Sequence, residues 1–521
     1  MTSEIHRDAG AKKLPEVHVS EEYSWRWMWP VVILGLGLRL AQYATGRSLW
    51  LDEALLALNI IHRPIGGLFK TLDYHQGAPL GFLLLEKLAT KLAGNGEFAL
   101  RAFPFVFGIL GLFFFSRVAK LYVAPKAMPV ALSLFAFCAS LIYYSSEAKQ
   151  YSGDVAVTIL ALWLVARLAA AELSGKGLIR LSILGALCLW VSHPAAFVLS
   201  GAGLALLLFA VRAGDWRRFG RLVSVCGIWA LSFSLNYAVS LKALGSDQAL
   251  FDFWREYFPS QPLWSLRTIV FLFQRFFSVF DDPANLISVV GAVLFVIGCI
   301  ELARKRTVHC WLLSGPLMVA LLAGFLHKYP LGGRFFLFAL AILFLVIGEG
   351  AASLADMSGR LSRAVQIGLF IVLLMKPISM DARALIHPRR PDDIKLAILY
   401  IQTHQQPADA WYVYHWARYQ FWYYSDLYRI NPRTVRLGVD CGADQACYAA
   451  DLDQLRGQPR VWVLFSHMWV GDGYQEEDFF LDHLDHLGVR VATYKSTGAR
   501  AYLYDLSRHD LSRPAGDELE K

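Results

Sequence analysis

The sequence predicts a polytopic α-helical membrane protein with a C-terminal α/β domain, and three observations carry that reading. Hydrophobic residues make up 56% of the 521 and charged residues 18%, against about 45–50% and about 25% in soluble globular chains. Eleven stretches are apolar enough to cross a bilayer, which takes about 20 residues of helix. Lys and Arg gather in alternate connections between those stretches, the pattern of cytoplasmic loops.

The elements follow in order. Residues 1–26 are polar and mixed in charge and carry no apolar core, so a cytoplasmic tail is expected rather than a cleavable signal peptide. Residues 27–381 form the transmembrane domain, with spans expected at roughly 27–45, 102–121, 127–145, 151–171, 179–193, 195–211, 221–241, 284–302, 309–326, 335–354 and 364–380. Basic clusters at Arg117–Lys126, Arg167–Arg180, Arg212–Arg221, Arg304–Arg306 and Arg360–Arg363 mark the cytoplasmic side. These loops account for the formal net charge of +8, and no nucleic-acid partner is expected. An odd number of spans then puts the C-terminal part outside. Arg39, near the outer end of the first span, is compatible with snorkelling to the surface.

Two long loops are expected on the external face. Counting residues 78–93 as a crossing would reverse every later basic loop. Loop 46–101 is therefore read as surface helices, with Glu86, Lys87 and Lys91 on a polar face. Loop 242–283 is dense in Phe, Trp and Tyr with spaced Arg, the composition of helices at the headgroup level.

Residues 382–510 read as a periplasmic α/β domain and 511–521 as a disordered tail. "DDIKLAILYIQTHQ" and "EEDFFLDHLDHLG" are helix-like; "DAWYVYH", "RVWVLFS", "RVATYKS" and "RAYLYDL" are strand-like. Of the seven cysteines, five sit in or beside apolar runs and read as small buried hydrophobes. Cys441 and Cys447 lie in "DCGADQACY", where a disulfide closing a short loop or two free thiols are the alternatives.

Polar residues collect at the external ends of the spans. Asp52 and Glu53 follow the first span, and Asp73 and His75 lie further along that loop. Arg101 opens the second span, and Glu147, Lys149 and Tyr151 connect the third and fourth. His193 sits between the fifth and sixth, and Arg334 between the ninth and tenth. Carboxylates can deprotonate a hydroxyl or hold a divalent metal, and Arg and Lys bind phosphate. Together with interfacial aromatics, these types describe transfer of a group from a lipid phosphate to an acceptor. Each residue also has a plain structural reading. Asp52 can cap a surface helix, Glu147 and Lys149 can be an interfacial charge pair, His193 can end a helix before Pro194, and Arg334 can anchor to headgroups.

The motifs, in this order, resemble those of polyprenyl-phosphate-sugar-dependent glycosyltransferases of the GT-C fold, in particular glycosyltransferase family 39, the protein mannosyltransferase-like group, and its bacterial relatives. "SLWLDEALLALNI" resembles the family's first-loop acidic motif, and "DYHQGAPLGFLLLEKLA" the stretch that follows it. "ALRAFPFVFGILG" resembles the start of the second span, "SSEAKQYS" the Glu-Ala-Arg-Pro-Tyr element, and "YPLGGRFFLFALAILFL" the late Arg-containing loop. The likeness covers most of residues 27–355.

The resemblance implies an inverting transferase with Asp52 as catalytic base and Glu53 in support. Arg101, Lys149 and Arg334 would take the donor phosphate, and His75, Glu147, Tyr151 and His193 would line the substrate. A divalent metal cation is left open, with Glu53 and His75 as its ligands. The implied setting is a bacterial inner membrane, with an undecaprenyl-phosphate-linked sugar as donor and a lipid, protein or glycan acceptor. Two departures stand out: Gln76-Gly77-Ala78-Pro79 follows His75 where Pro-Pro is usual, and Lys149-Gln150 replaces Arg-Pro. The competing readings are a transporter or flippase of lipid-linked sugars, a non-catalytic scaffold, and a ligase drawing on a diphosphate-linked donor. Transporters place ionisable residues near the midplane of repeated halves; here most lie at span ends.

Overall fold

The computed structural model describes residues 25–170, 175–430, 435–468, 470–471 and 474–507. The expected tail at 511–521, and all but the last two residues of the one at 1–26, lie outside the described residues. The chain divides into two compact units. One comprises Met1–Thr45, Pro64–Ala89 and Arg101–Pro388, and the other Gly46–Arg63, Thr90–Leu100 and Arg389–Lys521.

The first unit is helical. Among the described residues seven helical segments are long and apolar enough to cross a membrane: Ala102–Tyr122, Tyr151–Ala170, Ala195–Arg212, Trp216–Leu244, Thr307–Phe325, Gly333–Met357 and Gly359–Ile386. The other four expected spans contain Met28–Ala44, Met128–Phe137 followed by Ala139–Tyr144, Gly175–Val191, and Ser288–Lys305. Small residues set the closest helix crossings, as is usual where lipid supplies no hydrophobic drive between helices. A Cβ on Gly298 would sit 2.0 Å from the Val346 carbonyl, and one on Gly201 2.4 Å from the Gly315 backbone. The Leu266–Asp281 helix leaves Leu266, Ile269, Val270, Phe273 and Phe276 exposed. That spacing is one helical face, in keeping with an interfacial helix.

Two details differ from the sequence reading. Arg39 does not snorkel: it is buried, and its guanidinium donates to the carbonyls of Gly35 (2.9 Å), Ala136 (3.0 Å) and Phe135 (3.2 Å). The cause is a break at Cys138, where φ −66° and ψ 110° interrupt the expected third span. Carbonyls freed by such a break need donors, and Arg39 supplies them. Glu86 is not on a polar face either. The Leu80–Ala93 helix buries Phe82, Leu83, Glu86 and Ala89 and exposes Leu88 and Leu92. The 3.6-residue period places Glu86 with the inward residues. Its two carboxylate oxygens have no hydrogen-bond partner among the described residues, and burial pushes its carboxyl well above the usual range.

The second unit contains a five-stranded sheet of order β2-β1-β3-β7-β6. The strands are β1 (Ala410–Val413), β2 (Val435–Leu437), β3 (Val461–Ser466), β6 (Val489–Ser496) and β7 (Ala499–Asp505). The short β4 (Val470–Gly471) and β5 (Tyr474–Gln475) pair separately. β1 runs parallel to β2 and β3, and β7 is antiparallel to β3 and β6. "VWVLFS" is buried at every position of β3, which is why it reads as an unbroken apolar run rather than an alternating one. Helices Ile394–His404, Arg418–Tyr428, Gln445–Asp453 and Glu476–Leu487 complete the unit. A disulfide joins Cys441 and Cys447.

Candidate functional site

The acidic pair lies in the second unit, in the first turn of the Leu51–His62 helix. The residue capping that helix is Trp50, which makes no side-chain cap bond, so Asp52 is not the cap. Both carboxylates sit where the helix dipole favours negative charge. Glu53 is fully buried, Asp52 half-buried, and the Trp50 amide donates to Glu53 at 3.4 Å.

Distant parts of the chain hold the segment that leads into this turn. Tyr424 Oη accepts from the Leu49 amide at 2.9 Å, and Gln420 donates to the Leu49 carbonyl at 3.1 Å. Asp392 accepts from the Leu51 amide at 3.4 Å, and Ser48 donates to Asp393. Lys395 Nζ donates to the Gly46 carbonyl at 2.7 Å and pairs with Glu97 at 2.9 Å. The acidic turn is thus built into the α/β unit by bonds from its partners in residues 392–424.

The remaining sequence-predicted residues lie in the first unit. Arg334 follows Gly332-Gly333, and both glycines are required. A Cβ on Gly332 would meet the Tyr257 ring at 2.4 Å, and Gly333 has φ +51°. The tight turn sets the Arg334 guanidinium over two aromatic rings, 5.1 Å from Trp254 and 5.6 Å from Tyr151. Such contacts position a cation over the ring faces. The Leu331 amide donates to the Tyr257 carbonyl at 2.8 Å, tying this turn to the 254–259 segment.

Glu147 and Lys149 are both buried in the connection before the Tyr151–Ala170 helix. Gly108 permits that burial: a Cβ there would lie 2.5 Å from Ser145. Lys149 Nζ donates to Gln76 at 2.6 Å, and Gln76 is one of the positions where the sequence departs from the family pattern. Arg101 is buried at the start of the Ala102–Tyr122 helix, with Tyr43 in electrostatic reach of both it and Glu86. His193 Nε2 is buried without a hydrogen-bond partner among the described residues.

The structure adds Asp154 to the set. It is buried one turn beyond Tyr151 and neighbours Ser192 and Tyr329. Its signal was present in the sequence: an acidic residue inside an apolar spanning window is costly and functional by default. Trp254 had no such signal, because it is one aromatic among many in its loop.

Among the described residues no group of three or more His, Cys, Asp or Glu is placed to hold a metal ion. His75, one expected ligand, instead bonds Asp247 at 2.8 Å. Burial works to raise the Asp247 carboxyl, but the bond to His75 and the Leu250 amide outweigh it and hold it below the usual range.

No protein-family profile and no curated protein sequence matches the chain. Solved structures do. ArnT from Cupriavidus metallidurans bound to undecaprenyl phosphate aligns over 95% of this chain and 100% of its own, at 11% identity and a TM-score of 0.54. Its apo state aligns over 94% and 99%, at 13% identity and a TM-score of 0.51. The Archaeoglobus fulgidus oligosaccharyltransferase tethered with an acceptor peptide aligns over 94% and 76%, at 11% identity and a TM-score of 0.50. Identities this low speak to architecture alone, and the architecture is the one the motifs implied: the chain has the GT-C fold.

Proposed function

We propose that the protein is a membrane glycosyltransferase that moves a sugar from a polyprenyl-phosphate donor to a hydroxyl acceptor, with inversion. The observation that carries the reading is the Arg334 guanidinium held between Tyr151 and Trp254, in a fold shared with a structure that binds undecaprenyl phosphate. A guanidinium is planar and forked, the geometry that suits a phosphate. Buried Lys149 and Arg101 are proposed as further phosphate ligands. His75, Glu147 and His193 are proposed to contact the substrate.

Asp52 is proposed as the base. The acceptor oxygen attacks the anomeric carbon as its proton passes to the Asp52 carboxylate, and the bond from that carbon to the phosphate oxygen breaks. The leaving group is polyprenyl phosphate, stable as an anion without protonation, so no general acid is needed. Stabilisation of the charge that develops on it falls to the cations. In this reading the acidic turn and the α/β unit face the periplasm of a bacterial inner membrane. The acceptor is a lipid, protein or glycan hydroxyl.

The test uses purified protein in nanodiscs and a panel of radiolabelled polyprenyl-phosphate sugars, comparing wild type with Asp52→Asn. Asn preserves shape but cannot take a proton. The expected outcome is donor turnover that falls by about 10²–10⁴-fold while donor binding persists. Normal turnover in Asp52→Asn removes Asp52 from the chemistry. Donor binding with no cleavage in the presence of a broad acceptor extract favours transport instead.

A further inference from the structure

We propose that the α/β unit binds a neutral polyhydroxylated ligand, a carbohydrate, in a cavity at the carboxyl end of β3. The cavity has a volume of about 360 Å³ and is lined by Pro391, Asp392, His467, Met468, Glu477, Gly498 and Arg500. That size suits one or two sugar rings, since small-molecule sites run from about 300 to 1,000 Å³. The inference rests on this lining and is independent of the transferase reading.

The topology favours this location. The connection from β1 leads through the Arg418–Tyr428 helix to β2 on one side. The connection from β3 leads through the Glu476–Leu487 helix to β6 on the other. The cavity lies on the β7 side of that divergence, beyond the carboxyl end of β3 and beside the start of antiparallel β7. His467 directly follows β3 and holds φ 52°, a left-handed conformation uncommon for such a residue. Gly498, at φ +68°, closes the opposite wall. A Cβ there would lie 2.1 Å from the Pro391 carbonyl and 3.0 Å from Asp392 Oδ1.

The chemistry of the wall selects the ligand class. Arg500 is ion-paired with Glu477, and Tyr502 donates to the same carboxylate at 2.7 Å. His467 Nδ1 lies 3.2 Å from Asp392. The wall therefore offers two carboxylates as acceptors, and a guanidinium and an imidazole as donors. A hydroxyl both donates and accepts, so a polyol can use both kinds at once. Pro391 and Met468 supply apolar surface for the C–H face of a sugar ring. An anion fits poorly, because two carboxylates face one guanidinium that is already paired. An apolar ligand would leave this polar wall with no hydrogen bond to the ligand.

The test is saturation-transfer NMR on the full-length protein in nanodiscs with methyl glycosides of hexoses and N-acetylhexosamines, and with inorganic phosphate as the anionic probe. Two variants accompany wild type: Met468→Trp, which fills the cavity, and His467→Ala, which removes one donor. Thermal unfolding confirms that each is folded. The expected result is saturation of at least one glycoside by wild type, at least tenfold weaker binding in Met468→Trp, a smaller loss in His467→Ala, and no displacement by phosphate. Asp52→Asn should bind the glycoside as wild type does, which separates this site from the proposed active site. Glycoside binding that survives in Met468→Trp, displacement by phosphate, or no glycoside bound by folded wild type would each overturn the proposal.

Discussion

The carboxylates around the sheet and the buried polar groups of the helical unit are treated in opposite ways. Around the sheet of the α/β unit two buried carboxylates, Asp409 and Asp451, are saturated with partners. Asp409 takes two bonds from Arg460, at 2.7 and 3.2 Å, and one from the Trp462 indole at 2.9 Å. Asp451 takes Tyr412, Arg436 and the Val439 amide. In the helical unit Glu86, Asp154 and His193 are buried with polar atoms that find no hydrogen-bond partner among the described residues. A satisfied network fixes one structure, whereas a buried polar atom without a partner costs free energy. Asp409 and Asp451 serve stability. The helical unit keeps charges that stability alone would select against, and rules broken without local gain cluster at functional sites.

The largest expected effect tests the saturated side. Asp409→Ala leaves Arg460 and the Trp462 indole without their acceptor. It should destabilise the α/β unit by about 3–5 kcal/mol, the usual loss when one member of a buried pair is removed. Chemical denaturation followed by near-ultraviolet circular dichroism reads that loss. An effect under about 1 kcal/mol would mean that Asp409 is a surface-like pair and the contrast between units is weaker than drawn.

Next is Arg334→Ala, in the helical unit. If Arg334 serves ligand rather than fold, donor turnover should fall about 10²–10³-fold with little change in melting temperature. Arg334→Lys should recover only part of it, because an ammonium neither stacks nor forks as a guanidinium does. A variant that unfolds without a specific activity loss would make Arg334 structural.

How much of this was legible depended on the length of the signal. Long apolar stretches announced their helices, and "RVWVLFS" and "RAYLYDL" announced β3 and β7. β2 is three residues long, too short for any period to show. The Arg418–Tyr428 helix is rich in aromatics, which are indifferent helix formers, and it passed unseen. The break at Cys138 was hidden because both halves of the expected span are apolar, so hydropathy stayed level while the backbone did not. The candidate residues stood out as polar types at span ends. Their grouping was not, because the bonds from Asp392 and Gln420 to the acidic turn bridge more than 300 residues with no periodic trace.

Acid titration sharpens the comparison with two slopes of opposite sign. Burial raises the Glu86 carboxyl well above its usual value. The folded state therefore holds a proton that the unfolded chain releases above about pH 4.3. Stability of the helical unit should fall as pH rises from there, and Glu86→Gln should flatten the slope. In the α/β unit His415 is pushed down to about 4 by burial, with Asp440 opposing and Arg418 adding. The unfolded chain binds its proton first, so stability there should rise with pH between about 4 and about 6.5. Glu476, 3.8 Å from His415, is raised by burial against bonds from Tyr414 and Tyr448 and works against that rise. His415→Gln should leave only its opposing slope. Hydrogen exchange resolved by peptide separates the two units. Slopes of the same sign would remove the distinction.

The smallest effect concerns the disulfide. Cys441 and Cys447 are six residues apart, and closing so short a loop restricts the unfolded chain by only about 2 kcal/mol. The loop is also held without it: Asp444 accepts the Cys447 amide at 3.1 Å and caps the Gln445–Asp453 helix. That helix carries Asp451, which binds the Val439 amide at 3.2 Å on the other side of the loop. Replacing both cysteines with serine should therefore cost about 2 kcal/mol or less in the α/β unit, read by denaturant midpoint, and leave donor turnover unchanged. A loss well above that value would mean that the bridge orients Asp451 and, through it, Tyr412 and Arg436. The saturated network would then depend on one covalent link rather than on its own hydrogen bonds.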